Sequence, residues 1–212
     1  MNIKELKINC LGASNTKVTV SLDAEGNKVV HRDVNYPSLL AARLGCTVRN
    51  YGVSGTNIAV SDGREDSYFE RKDGMDRDAD IVIVQGEGND ANHNIPLGVP
   101  GDTSPNTYCG AVLSIIRWVR AEFPTSKLIM LDGMKKARLV RTVDEHTHLD
   151  FHKAFVAVCE LEGLTPISFY DDPMLDPNDK NSMPDGTHMI RSACEHYADK
   201  VADAVRKIIE ID

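Results

Sequence analysis

The chain has 212 residues, 42% hydrophobic and 26% charged, and its 24 Lys and Arg against 32 Asp and Glu give a formal charge of -8. That length suits one well-buried core over 1–212, and the composition excludes a disordered or fibrous chain. The acidic balance, with no Lys/Arg cluster standing out against it, argues against a nucleic-acid partner held through phosphates and for a small-molecule substrate.

The N-terminal Met1-Asn2-Ile3-Lys4-Glu5-Leu6 leads straight into a strand-like run, without the apolar core or small-residue cleavage site of a secretory leader. No apolar stretch has the length of a membrane span. Cysteines 10, 46, 109, 159 and 194 are odd in number and mostly set among apolar residues. They fit reduced core thiols better than a disulfide framework, so the cytoplasm is the expected compartment.

In chain order, short apolar runs predict strands over 7–11, 47–51, 81–85, 127–131 and 166–170. Amphipathic segments predict helices over 36–44, stopped by Gly45; 107–122, after Ser104-Pro105 as cap and first-turn proline; 144–161, stopped by Gly163; and 192–209. The alternation predicts an α/β fold, a three-layer sandwich around a five-stranded parallel sheet with right-handed crossovers. Three segments break the rhythm. Residues 18–31 alternate around Glu25-Gly26-Asn27 and predict a hairpin inserted after the first strand. Residues 62–80 are dense in charge and expected at the surface, and 91–105, with Pro96, Pro100 and Pro105, is expected as an ordered loop.

The chemistry-bearing residues fall where strands end. The first strand runs into Leu11-Gly12-Ala13-Ser14-Asn15, which presents a serine beyond a glycine turn, although a capping serine would read the same. The second runs into Gly52-Val53-Ser54-Gly55-Thr56-Asn57, where a glycine N–H can face a developing negative charge. The third runs into Gly86-Glu87-Gly88-Asn89-Asp90-Ala91, formally a dinucleotide fingerprint. That reading needs an immediate helix and, about 20 residues on, an acidic residue ending the next strand, whereas a proline-rich loop follows and the next strand begins only near Lys127. What remains is an asparagine side chain able to donate to an oxyanion. Before the last helix, Asp185-Gly186-Thr187-His188 can place a carboxylate on one imidazole nitrogen and free the other as a base. His146, His148 and His152 read as a solvated helix face, and Asp171, Asp172, Asp176 and Asp179 as a solvated acidic loop, so no metal is expected.

Together, these four blocks resemble the SGNH hydrolases, the GDSL lipase/esterase family, over 11–188. The resemblance implies Ser14 as nucleophile, Asp185 and His188 as acid and base, and Ser14, Gly55 and Asn89 as oxyanion donors. It further implies a flavodoxin-like sandwich and hydrolysis of esters or thioesters without metal or cofactor. Two positions depart from the pattern. Ala13 replaces the aspartate of G-D-S, and Glu87 stands where relatives carry glycine, which makes it a candidate modulator of the oxyanion site. Polar loops lean toward a short acyl group on a polar alcohol, with an acetylated carbohydrate, a short-chain ester, a lysophospholipid or other lipid, or an acyl thioester as candidate substrates. The competing reading is a non-catalytic carbohydrate-binding or scaffolding protein on the same fold.

Overall fold

All of Ile81-Val82-Ile83-Val84 is buried, as a parallel strand covered on both faces requires. The computed structural model describes residues 2–86 and 88–210. Its strands are β1 (Lys7–Gly12), β2 (Thr19–Leu22), β3 (Lys28–His31), β4 (Thr47–Gly52), β5 (Ile81–Gln85) and β6 (Lys127–Leu131). The helices are α1 (Ser14–Lys17), α2 (Tyr36–Leu44), α3 (Tyr68–Arg71), α4 (Asn89–Asn92), α5 (Tyr108–Glu122), α6 (His148–Leu161) and α7 (Arg191–Glu210). The main sheet is parallel in the order β4-β1-β5-β6, and β2 pairs with β3 as the expected antiparallel hairpin.

Alternation along the strands divides the core. Ile8, Cys10, Ile81, Ile83, Ile129 and Leu131 pack with residues of α2 and α7, such as Leu40, Tyr197 and Val201. Leu11, Val82, Val84 and Met130 pack with residues of α5 and α6, such as Val112, Ile116 and Phe155. The chain thus forms the three-layer sandwich, and the described cysteines are free thiols, all buried except the half-exposed Cys46. Since β1 is flanked by β4 and β5, the strand order changes direction there. A crevice opens at such a point beyond the strand carboxyl ends.

The main sheet has four strands rather than five. The segment expected as the fifth makes one parallel bridge, Leu131 to Ile167. The Ile167 N–H donates to the Met130 carbonyl at 2.9 Å, and the Asp132 N–H donates to the Ile167 carbonyl at 3.1 Å. Pro166 has no N–H to offer, and the Phe169 N–H donates to the Asp132 carboxylate instead of a strand carbonyl.

Three further boundaries differ from expectation. Helix α5 is capped by Thr107, whose Oγ1 accepts from the Gly110 N–H at 3.2 Å, and not by Ser104. Helix α6 begins at His148 because Glu145 adopts a left-handed φ of 66° and Thr147 donates its N–H to Asp150 at 2.7 Å. The charged stretch 62–80 is not wholly superficial, since Tyr68 and Met75 enter the core. No helix is long and apolar enough to cross a membrane among the described residues.

Asp132 is 1% exposed and replaces a strand acceptor, so Asp132→Ala is expected to cost about 1–3 kcal/mol of stability. Asp132→Asn, which keeps an acceptor oxygen, should cost less. Equal losses in urea unfolding would contradict this account of where the sheet stops.

Candidate active site

β1 ends at Gly12, where a Cβ would lie 1.7 Å from Thr16 Oγ1, so only glycine lets α1 start this close. The turn delivers Ser14, 7% exposed, as the first residue of α1. Its Oγ lies 2.9 Å from His188 Nε2, and His188 Nδ1 lies 2.8 Å from Asp185 Oδ2. Residues 174 apart in sequence are thereby brought into one hydrogen-bonded relay.

The other Asp185 oxygen accepts the backbone N–H groups of Thr187 at 3.1 Å and His188 at 2.8 Å. Lys28, from the inserted hairpin, donates to Oδ2 at 3.2 Å. Burial raises the Asp185 carboxyl, but the hydrogen bonds and attraction of His188, with the Lys28 bond, outweigh it and hold the group well below the usual carboxylate range. An ionised carboxylate can only accept. The proton between the two side chains therefore sits on Nδ1, leaving the Nε2 lone pair toward Ser14.

Neighbouring polar groups fix the loop that carries the imidazole. Asn15 and Lys136 both donate to the Thr187 carbonyl at 3.2 Å, and the Ala137 N–H donates to the Gly186 carbonyl at 2.9 Å. Asn15 is fully buried and directly follows Ser14, so one turn sets both ends of the relay.

Gly55 has a φ of 77° in the loop after β4, a conformation that favours glycine. Asn89 donates one amide N–H to the Thr56 carbonyl at 2.9 Å, and its amide has a second N–H to offer. The fully buried Asp90 carboxylate accepts from the Ile58 N–H at 2.9 Å and the Ala59 N–H at 3.0 Å. Asn89 and Asp90 thus bind the Gly55 loop to the end of β5.

Arg71 closes the arrangement from α3. Its guanidinium donates to the Gly12 carbonyl at 2.6 Å, to the Tyr51 carbonyl, to the Asp66 carbonyl at 3.0 Å and to Thr56 Oγ1 at 3.4 Å. It makes no ion pair with the described residues, and burial pulls its pKa below the usual value. Carbonyl dipoles solvate this cation, a geometry that the five-donor fork of arginine permits and lysine does not.

Of the residues named from sequence, the structure brings Ser14, His188 and Asp185 into hydrogen bonding and ties Asn89 to the loop of Gly55, while Asn15, Lys28, Arg71, Asp90 and Lys136 were not foreseen. Asn15 and Asp90 adjoin motif residues, which was the available signal. The others arrive from separate segments. Ala13 is fully buried in the apolar cluster with Leu11 and Ile58, and Glu87 lies outside the described residues. His148 and His152 are not on a solvated face. His148 abuts Gly88, and His152 stacks on Tyr170 with ring centroids 4.0 Å apart.

A hydroxyl, an imidazole and a carboxylate linked in series at a crevice are the arrangement of a serine-type hydrolase. The chain belongs to the GDSL-like lipase/acylhydrolase family, whose profile matches residues 10–193. One solved structure is 29% identical, with a TM-score of 0.86 over 98% of this chain and 99% of its own. A Lactobacillus plantarum protein is 21% identical, with a TM-score of 0.77 over 96% and 97%. The native aryl esterase of M. smegmatis is 16% identical, with a TM-score of 0.68 over 95% and 99%, which shows the shared fold. No match was found among curated proteins.

Arg71→Met removes the guanidinium bonds to the Gly12, Tyr51 and Asp66 carbonyls and to Thr56 Oγ1, although the Gly12 carbonyl keeps the Val53 N–H at 3.1 Å. Stability should fall by about 1–3 kcal/mol in urea unfolding, with Arg71→Lys intermediate. An unchanged midpoint in Arg71→Met would show that these bonds hold nothing.

Proposed function

We propose that the chain is a serine esterase that hydrolyses carboxylic esters through an acyl-enzyme on Ser14. The carrying observation is the continuous relay from Asp185 through His188 to Ser14, with links of 2.8 and 2.9 Å. His188 Nε2 takes the Ser14 proton as Oγ bonds to the ester carbonyl carbon, and the carbonyl oxygen becomes an oxyanion. The backbone N–H groups of Ser14 and Gly55 and the second amide N–H of Asn89 are its donors. Collapse breaks the bond to the alcohol, which leaves with the proton from His188. Water then gives a proton to His188 and attacks the acyl carbon, and the proton returns to Ser14 as the acid departs.

A short acyl or acetyl group on a polar alcohol is the favoured substrate, on the polarity of the surrounding loops. The name of the M. smegmatis neighbour makes aryl esters reasonable probes. An intact relay weighs against a non-catalytic carbohydrate-binding or scaffolding protein, for which such a buried nucleophile is unnecessary.

Ser14→Ala should abolish both fluorophosphonate labelling and hydrolysis of p-nitrophenyl acetate. Undiminished turnover in this variant would sink the assignment. Asp185→Asn is expected to lower kcat about 10⁴-fold, and Asn89→Ala about 10²–10³-fold.

Because Asp185 stays ionised through the working range, the acid limb of kcat/KM should report the imidazole alone. A second acidic ionisation in the pH profile would show that the carboxylate is not held low.

A further inference from the structure

The segment between β6 and α6 carries Lys135, Lys136, Arg138 and Arg141, four cations in seven positions of a chain whose net charge is -8. This corrects the expectation that no basic cluster stands out. Lys135 turns away to pair with Asp171. The other three line a cavity of about 410 Å³ with Val140, His148 and Leu149. No Asp or Glu lines it among the described residues. Arg141 at its rim pairs with Glu145 at 2.7 Å, whereas Arg138 has no ion pair with the described residues.

The cavity adjoins the relay and the proposed oxyanion asparagine. Lys136 Nζ donates to the carbonyl of Thr187, the residue before His188, at 3.2 Å. On the other side, a Cβ built on Gly88 would lie 3.3 Å from His148 Nε2 and 3.5 Å from Lys136 Cε. Gly88 directly precedes Asn89, so a side chain here would crowd the junction between cavity and site. His148 Nε2 is buried against Gly88, so the imidazole forms the wall between the cavity and the residue before Asn89. Burial, followed by the Lys136 charge, pushes the pKa of the His148 imidazole down. Val140 and Leu149 add apolar wall between the charges.

We propose that this cavity is a subsite for an anionic group, a carboxylate or phosphate carried by the ester substrate on a short apolar stem. The inference rests on the esterase reading and adds the substrate's charge. Guanidinium groups supply paired N–H donors to such anions, and Arg138 and Arg141 offer them from the exposed rim of the cavity, where salt screens the attraction. On the acyl side, the anion would make the substrate a dicarboxylic hemiester. On the alcohol side, it would make it the ester of an acidic alcohol or a phosphorylated one.

Matched pairs test both sides: the mono-p-nitrophenyl ester of adipate against p-nitrophenyl hexanoate, and 4-acetoxybenzoate and 4-acetoxyphenyl phosphate against phenyl acetate. At low salt, at least one anionic ester should exceed its neutral match about tenfold in kcat/KM, the scale of one hydrogen bond to a charged group. The ratio should fall toward one in Arg138→Gln, invert in Arg138→Glu, and shrink as salt is added. Glutarate binding by calorimetry gives a readout independent of turnover and should weaken in Arg138→Gln. Ser14-dependent hydrolysis with every ratio near one, or with ratios unmoved by Arg138→Gln, overturns the subsite and leaves the esterase reading intact. Absence of all ester turnover overturns the esterase reading, and absence of glutarate binding at millimolar concentration then overturns the subsite as well.

Discussion

The Arg71 guanidinium is the fastening on which the site depends. Two parallel strands, β1 and β4, end side by side, and the last ladder bond between them runs from the Val53 N–H to the Gly12 carbonyl at 3.1 Å. Arg71 donates to the Gly12 and Tyr51 carbonyls and reaches on to Thr56, so one half-buried cation ties the end of the strand before Ser14 to the start of the loop that carries Gly55. An uncompensated buried charge would be costly. Here the strand carbonyls solvate the cation, and Gly12 accepts from it as well as from the Val53 N–H.

A buried anion fastens the same loop farther along. Asp90 accepts from the N–H groups of Ile58 and Ala59, and Asn89 donates to the Thr56 carbonyl. The segment from 55 to 59 is thus gripped by a cation at one end and a carboxylate at the other. A donor aimed at a transient oxyanion is effective only if it need not reorganise when the charge develops. The two ionic groups, Arg71 and Asp90, meet that requirement from outside the set of donors, and neither touches the reacting atoms in the proposed mechanism.

The division between what the sequence disclosed and what it concealed follows the range of the interactions. The strand pattern in 81–85 and the Gly45 stop signal after 36–44 depend on neighbours within a turn or a pleat, and both elements formed as expected. Asp185 and His188 are three residues apart, so their pairing was legible. Ser14 was placed by its position at a strand end. Lys28 and Arg71 were not legible, because Lys28 meets Asp185 across 157 residues and Arg71 meets Gly12 across 59. The missing fifth strand has a similar cause. Its apolar residues fit the pattern, but the Asp132 side chain, distant in sequence, captured the Phe169 N–H.

Lys28 shows how the inserted hairpin enters the chemistry. It donates to Asp185 Oδ2, the same oxygen that accepts from His188, while Oδ1 is occupied by two backbone N–H groups. The backbone pair holds the carboxylate plane whether or not Lys28 is engaged. The lysine therefore adds little to orientation, and what it changes is charge: a cation on the shared oxygen reduces the negative potential that steadies the imidazolium formed during attack. With the lysine side chain 45% exposed, water and salt screen most of that effect. The hairpin can thus cover one side of the relay without greatly weakening the base, a balance that a buried lysine in the same place would upset.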